Sequence, residues 1–115
     1  MIFLPLNPIE LHAPFTIITK TVHRGDVLIY TVDYCKDPSI GQGEVYRSLQ
    51  DDILYNLPPT SDVLQPGCHK QNIAVEIPNI IHPGKYTMKI ITSYKINTLR
   101  TLTLQETTGE FEIIQ

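Results

Sequence analysis

The chain has 115 residues, the length of one domain, and that is enough to bury about two-thirds of its unfolded surface in a single core. Sixteen isoleucines, twelve threonines and six valines stand against two alanines. Side chains stiff at χ1 suit pleated sheets and make mediocre helices, so a helical bundle is excluded. A net charge of −3, with 9 basic and 12 acidic residues, argues against binding nucleic acid through its backbone charge. No apolar run approaches the ~18 residues of a membrane span.

The first residues carry no Lys or Arg before an apolar stretch that Pro5 breaks, so no secretory signal is expected. Residues 1–14 hold Pro5, Pro8 and Pro14 and read as an extended arm or kinked edge strand. The domain proper is expected over residues 15–115, with the arm adding nothing to its core. Phe15 to Val22 reads as one strand, and His23-Arg24-Gly25-Asp26 as a turn. Val27 to Tyr34 is the clearest strand of the front half, with Leu28, Tyr30, Val32 and Tyr34 on one face. Asp37 to Gly43 is a loop.

Glu44 to Leu57 admits two readings. Val45, Leu49 and Ile53 fall four apart, as on a helix. Val45, Arg47 and Leu49 also alternate with Tyr46 and Ser48, turn at Asp51-Asp52 and return to Leu57 as a hairpin. The hairpin is preferred, because the composition favours helix nowhere else. Pro58 to Gly67 reads as a loop, and Asn72 to Ile77 as a strand with Ile73, Val75 and Ile77 inward. Lys85 to Ile96 is the longest alternation, with Tyr86, Met88, Ile90, Thr92, Tyr94 and Ile96 sharing a face. A turn near Asn97 leads to a strand over Leu99 to Leu104 that buries Leu102. A bulge near Thr107-Thr108-Gly109 precedes a last strand, Phe111 to Ile114. Seven or eight short-linked strands predict an all-β antiparallel sandwich.

Pro83-Gly84-Lys85-Tyr86 stands just before the long penultimate strand. Immunoglobulin-like sandwiches place a tyrosine there whose hydroxyl bonds back to the preceding crossover, the tyrosine corner. The strand order matches B, C–C′, E, F and G of that fold. In that order B pairs antiparallel with E, so Cys35 at the end of B and Cys68 ahead of E share one end of the sandwich. Their Cα atoms are expected within about 10 Å, as neighbouring thiols or as a disulfide. The core is expected where Tyr86, Met88 and Ile90 meet Leu28, Tyr30 and Val32, with Ile73, Val75 and Leu102 completing it.

Arg24-Gly25-Asp26 leading into Tyr30-Thr31-Val32-Asp33-Tyr34-Cys35-Lys36, then Pro66-Gly67-Cys68-His69, then Pro83-Gly84-Lys85-Tyr86 resemble small immunoglobulin-like proteins encoded by tailed bacteriophages. The similarity continues through Tyr94-Lys95-Ile96-Asn97-Thr98-Leu99-Arg100-Thr101 to Thr107-Thr108-Gly109-Glu110-Phe111, covering residues 20–114. The resemblance implies a virion part: a head-decoration, tail or fibre module made in the host cytoplasm. It implies other virion proteins as partners, with a homo-oligomer admitted; nucleic acid and membrane are not expected, on the net charge and the lack of a long apolar run. A soluble assembly factor that leaves before maturation is the alternative.

Catalytic signals are thin. Arg24-Gly25-Asp26 matches an integrin-binding tripeptide, but a tight turn wants those same residue types. His12, His23, His69 and His82 fall in turns or the arm, with no metal-ligand spacing between them. Cys68-His69 would face apart on an extended chain, as would Asp51-Asp52. The glycines are scattered singly, so there is no phosphate loop. Lys85, Lys89 and Lys95 make a modest outward basic stripe that a solvated sheet face explains. No enzyme, cofactor or metal is expected.

Overall fold

The computed structural model describes residues 9–11, 15–38, 40, 43–61, 64–97 and 100–115. The described residues form strands and connections with no helix. In chain order the strands are β1 (Ile9–Leu11), β2 (Thr16–Ile17), β3 (Thr21–His23), β4 (Val27–Lys36), β5 (Glu44–Gln50) and β6 (Leu54–Asn56). There follow β7 (Thr60–Ser61), β8 (Gly67–Glu76), β9 (Gly84–Asn97), β10 (Arg100–Thr107) and β11 (Phe111–Ile114).

Two sheets pack face to face as a sandwich. In the narrow sheet β4 is central, and all ten of its residues pair antiparallel with β8, from Val27↔Glu76 to Lys36↔Gly67. That commits one edge of β4 entirely, so β1 and β2 share the other, at Tyr34–Lys36 and Tyr30–Thr31. The wide sheet runs β3, β11, β9, β5, β6, with β10 also on β9 and β7 also on β5. The hairpin reading of residues 44–57 holds, because β5 and β6 pair antiparallel around Asp51-Asp52. Strand alternation explains the core. Leu28, Tyr30, Val32 and Tyr34 from β4, and Tyr86, Met88 and Ile90 from β9, are all at most 2% exposed. Ile73, Val75 and Leu49 join them in one cluster.

Several expectations are corrected. Phe15 to Val22 is not one strand. β2 lies in the narrow sheet, the chain then crosses, and β3 runs parallel to β11 in the wide one. The crossing is anchored where the Ile18 and Thr19 amides both donate to the Ile29 carbonyl. β8 begins at Gly67 rather than near Asn72, because pairing with β4 extends it through a stretch with no apolar alternation. Residues of the expected 58–67 loop supply β7, which bridges to Glu44–Val45.

Of the two readings of residues 1–14, arm or edge strand, residues 9–11 form an edge strand, and the expectation that the segment adds nothing to the core fails at Ile9, which is 4% exposed. The remainder of the arm lies outside the described residues, as do Thr98 and Leu99 at the expected turn. Leu102 is not in the main core. It is half-buried against a satellite cluster of Ile9, Ile40 and Tyr94, because β10 pairs far along β9, beyond the main core. The expected bulge is a break between β10 and β11. There the Thr108 amide donates to the Met88 carbonyl, and its hydroxyl accepts from the Met88 amide at 3.0 Å.

Candidate functional site

The chemistry-bearing side chains gather at three places. At the start of β9 the Tyr86 hydroxyl donates to the His82 carbonyl at 2.6 Å. Burial, then the Asp51 carboxylate, then the Tyr55 phenol push the Tyr86 pKa up from its ordinary value. Asp51 itself accepts from the Ile53 amide, closing the β5–β6 turn. The Arg24-Gly25-Asp26 turn lies among strand ends. Arg24 donates from its amide to Ile114, Gly25 to Ile77, and the Asp26 carbonyl accepts from Ile77. Gly25 has φ +78°, and a Cβ there would run into the Asn79 amide group, so the turn geometry itself demands glycine.

At the opposite end of the narrow sheet Cys35 and Cys68 are direct cross-strand partners, joined by a disulfide with Cα atoms 3.9 Å apart. No thiol is available there for nucleophilic work while the bridge is closed. His69 Nε2 sits 2.8 Å from the Pro66 carbonyl. His23 Nδ1 sits 2.7 Å from the Gln115 carbonyl. His12 lies outside the described residues. Among the described residues no three His, Cys, Asp or Glu side chains group closely enough to hold a metal ion. Lys85, Lys89 and Lys95 lie on the outer face of the wide sheet. Lys85 pairs in register with Glu112, and Glu44 accepts from the Tyr46 phenol. That bond is the main cause holding the Tyr46 pKa above its ordinary value.

The third place was not singled out from the sequence. Arg47, on the inward row of β5, is 8% exposed. Its Nε and Nη2 donate to the Tyr30 hydroxyl at 3.2 and 3.1 Å, and its Nη1 to the Thr60 hydroxyl at 2.7 Å. No carboxylate among the described residues pairs with it. A buried guanidinium held by two hydroxyls and the face of the Tyr30 ring, with no carboxylate, is an expensive arrangement. It borders a cavity of about 370 Å³ that opens to solvent between β8 and β7. Leu57, Pro58, Thr60, Ile73, Val75 and Glu76 are among the residues that line that cavity. The signal was present in the alternation, which sets Arg47 in one row with Val45 and Leu49. A charge on an apolar row asks for an explanation. Lys36, on the Val32–Tyr34 row, asks for one too. It is 4% exposed, donates to the Leu64 carbonyl at 3.1 Å and lies over the Tyr94 ring.

No family model matches the chain, and no curated protein does. One solved structure with a similar course of chain is Pseudomonas fluorescens alkylpurine DNA glycosylase AlkC bound to DNA containing an abasic site analog. It shares 11% identity at a TM-score of 0.49, over 94% of this chain and 31% of that one. This chain thus spans about a third of that structure's length. The partners expected from the sequence need correction on this finding. Nucleic acid was excluded on net charge, yet the neighbour is a DNA-bound protein. The exclusion is withdrawn, and a likeness of this degree assigns no ligand to this chain. Among the described residues no helix is long and apolar enough to cross a membrane.

Proposed function

We propose that the chain is a non-enzymatic structural and interaction module of immunoglobulin-like type. β4, β5, β8, β9 and the β10–β11 pair then take the B, C, E, F and G places. The Tyr86–His82 bond stands where a tyrosine corner would. The observation that carries the interaction reading is the edge of β8. This strand is ten residues long and, among the described residues, pairs only with β4. A long strand at the border of a sheet is a ready template for another chain. The setting we propose is a phage particle, on the resemblance carried by residues 20–114. Mass spectrometry of purified particles tests it, with the chain expected as a stoichiometric component. Presence in infected cells together with absence from mature particles would instead make it an assembly factor.

A further inference from the structure

The outer face of the narrow sheet carries its disulfide in the open. Cys35 and Cys68 are register partners on β4 and β8, so the bridge spans the gap between those strands. Tyr34 and Lys36 are buried on the inward row, which sets Cys35 on the outward one. Cys68 is exposed and Cys35 half-buried. Both border an open depression of about 480 Å³, with Asp33, His69 and Lys70. The chain ahead of β8 does not roof it. The Leu64 and Gln65 carbonyls accept from Lys36 Nζ at 3.1 Å and the Tyr34 hydroxyl at 2.9 Å, both inward side chains.

A thiolate opens a disulfide by attacking one sulfur and expelling the other, and access helps decide which sulfur is taken. The attack runs in line with the S–S bond. In line with Cys68, the nucleophile arrives from beyond β8, which borders the sheet among the described residues. In line with Cys35, it must come in over β1, whose Glu10 pairs in register with Cys35. Charge pulls the other way. Lys70 stands two residues from Cys68 and Asp33 two from Cys35 on the same face, which makes Cys68 the better leaving thiolate. Those charges lie on a solvent-facing row where salt screens them, so access outweighs them.

The strands are also held without the bridge. The ladder runs from Val27↔Glu76 to Tyr34↔His69, and the Tyr34 hydroxyl bonds Gln71 Oε1 at 3.0 Å. Opening the bridge therefore leaves a folded chain with a changed surface.

We propose that Cys68 is a site of reversible modification by small thiols. The thiolate sulfur bonds to Cys68 Sγ and the Cys35–Cys68 bond breaks. Cys35 leaves with the electron pair and takes a proton from water. Return attack by the Cys35 thiolate on Cys68 expels the small thiol and recloses the bridge. This rests on the geometry of the bridge and not on the interaction-module reading.

The probe is 2-mercaptoethanol, added in excess to the full bridged chain at neutral pH, without denaturant and again in urea. Samples are stopped in acid at early times, cut with pepsin and mapped by mass spectrometry. The mixed disulfide should form on Cys68 at least about tenfold more often than on Cys35. The folded chain should open within about a hundredfold of the rate in urea, whereas opening through global unfolding would be slowed at least about a thousandfold. The near-ultraviolet circular dichroism of the tyrosines should persist in the opened chain. Equal adducts on the two sulfurs, or a majority on Cys35, overturn the proposal. So does an opening slower than that hundredfold bound. Loss of the tyrosine signal on opening overturns it too, because the bridge would then be a condition of folding. Absence of the chain from particles removes the phage setting and leaves this site untouched.

Discussion

Tyr86 shows how one side chain can fasten an element. Its ring is buried in the main cluster, and its hydroxyl reaches the His82 carbonyl just ahead of β9. Tyr86→Phe keeps the ring and removes the bond. It should lower unfolding free energy by about 1–2 kcal/mol, measured by urea denaturation at neutral pH. The alkaline limb carries a second signature. Burial, with Asp51 and Tyr55 adding to it, raises the phenol's pKa in the fold above its ordinary value. The contribution is therefore fully present below about pH 10 and is lost as pH rises through the higher folded value. Unfolding midpoints of the unaltered chain should fall above pH 10, and Tyr86→Phe should flatten part of that fall. An identical alkaline slope in both proteins would show that Tyr86 does not feel its surroundings in this way.

At the scale of elements, a strand was legible in the sequence wherever its residues alternated. The inward rows of β4 and β9 and the β5–β6 hairpin were readable because one buried face imposes period two. Strands that exist only because a neighbour pairs with them left no such trace. The first half of β8, with Cys68, His69 and Lys70 all exposed, is one such stretch. β7 and β1 are too short to show a period. Arg47 was readable as part of a row but not as a site, since only the packing of β4 and β7 against it reveals that it faces Tyr30 and Thr60. β1 also reverses an expectation with a measurable consequence. It pairs with Tyr34–Lys36, and Ile9 packs with Ile40 and Tyr94. Burying one isoleucine contributes about 2–3 kcal/mol. Removal of residues 1–11 should therefore lower the melting temperature by roughly 10 °C. A calorimetric shift under about 2 °C would return this segment to the role of a free arm.

The whole molecule is longer than its residue number suggests. Its extents are 56 × 26 × 19 Å and its radius of gyration is 15.2 Å, against about 13 Å for a compact domain of this size. The cause is the β9–β10 pair, which carries the wide sheet past the main core. The buried apolar residues divide accordingly, into a large cluster and a small one built on Ile9, Ile40 and Tyr94. The Cys35–Cys68 bridge lies at the end of the narrow sheet nearest the small cluster, one residue from the Lys36 that covers Tyr94. A covalent tie thus sits where hydrophobic burial is thinnest. It spans 33 positions of sequence, and closing such a loop stabilises the fold by roughly 3–4 kcal/mol in the chain-entropy model. That part of the effect is global, because it acts on the unfolded chain. A further part is local, since without the bridge the ends of β4 and β8 are held by ladder bonds and a small cluster. The Cys35→Ser/Cys68→Ser double variant should therefore lose about 3–4 kcal/mol by denaturant unfolding. Its amides at 33–36 and 67–70 should also exchange with solvent sooner than those at 28–32 and 73–75. A stability loss with uniform exchange would confine the bridge to the unfolded chain, and no loss at all would mean the small cluster holds this end without it.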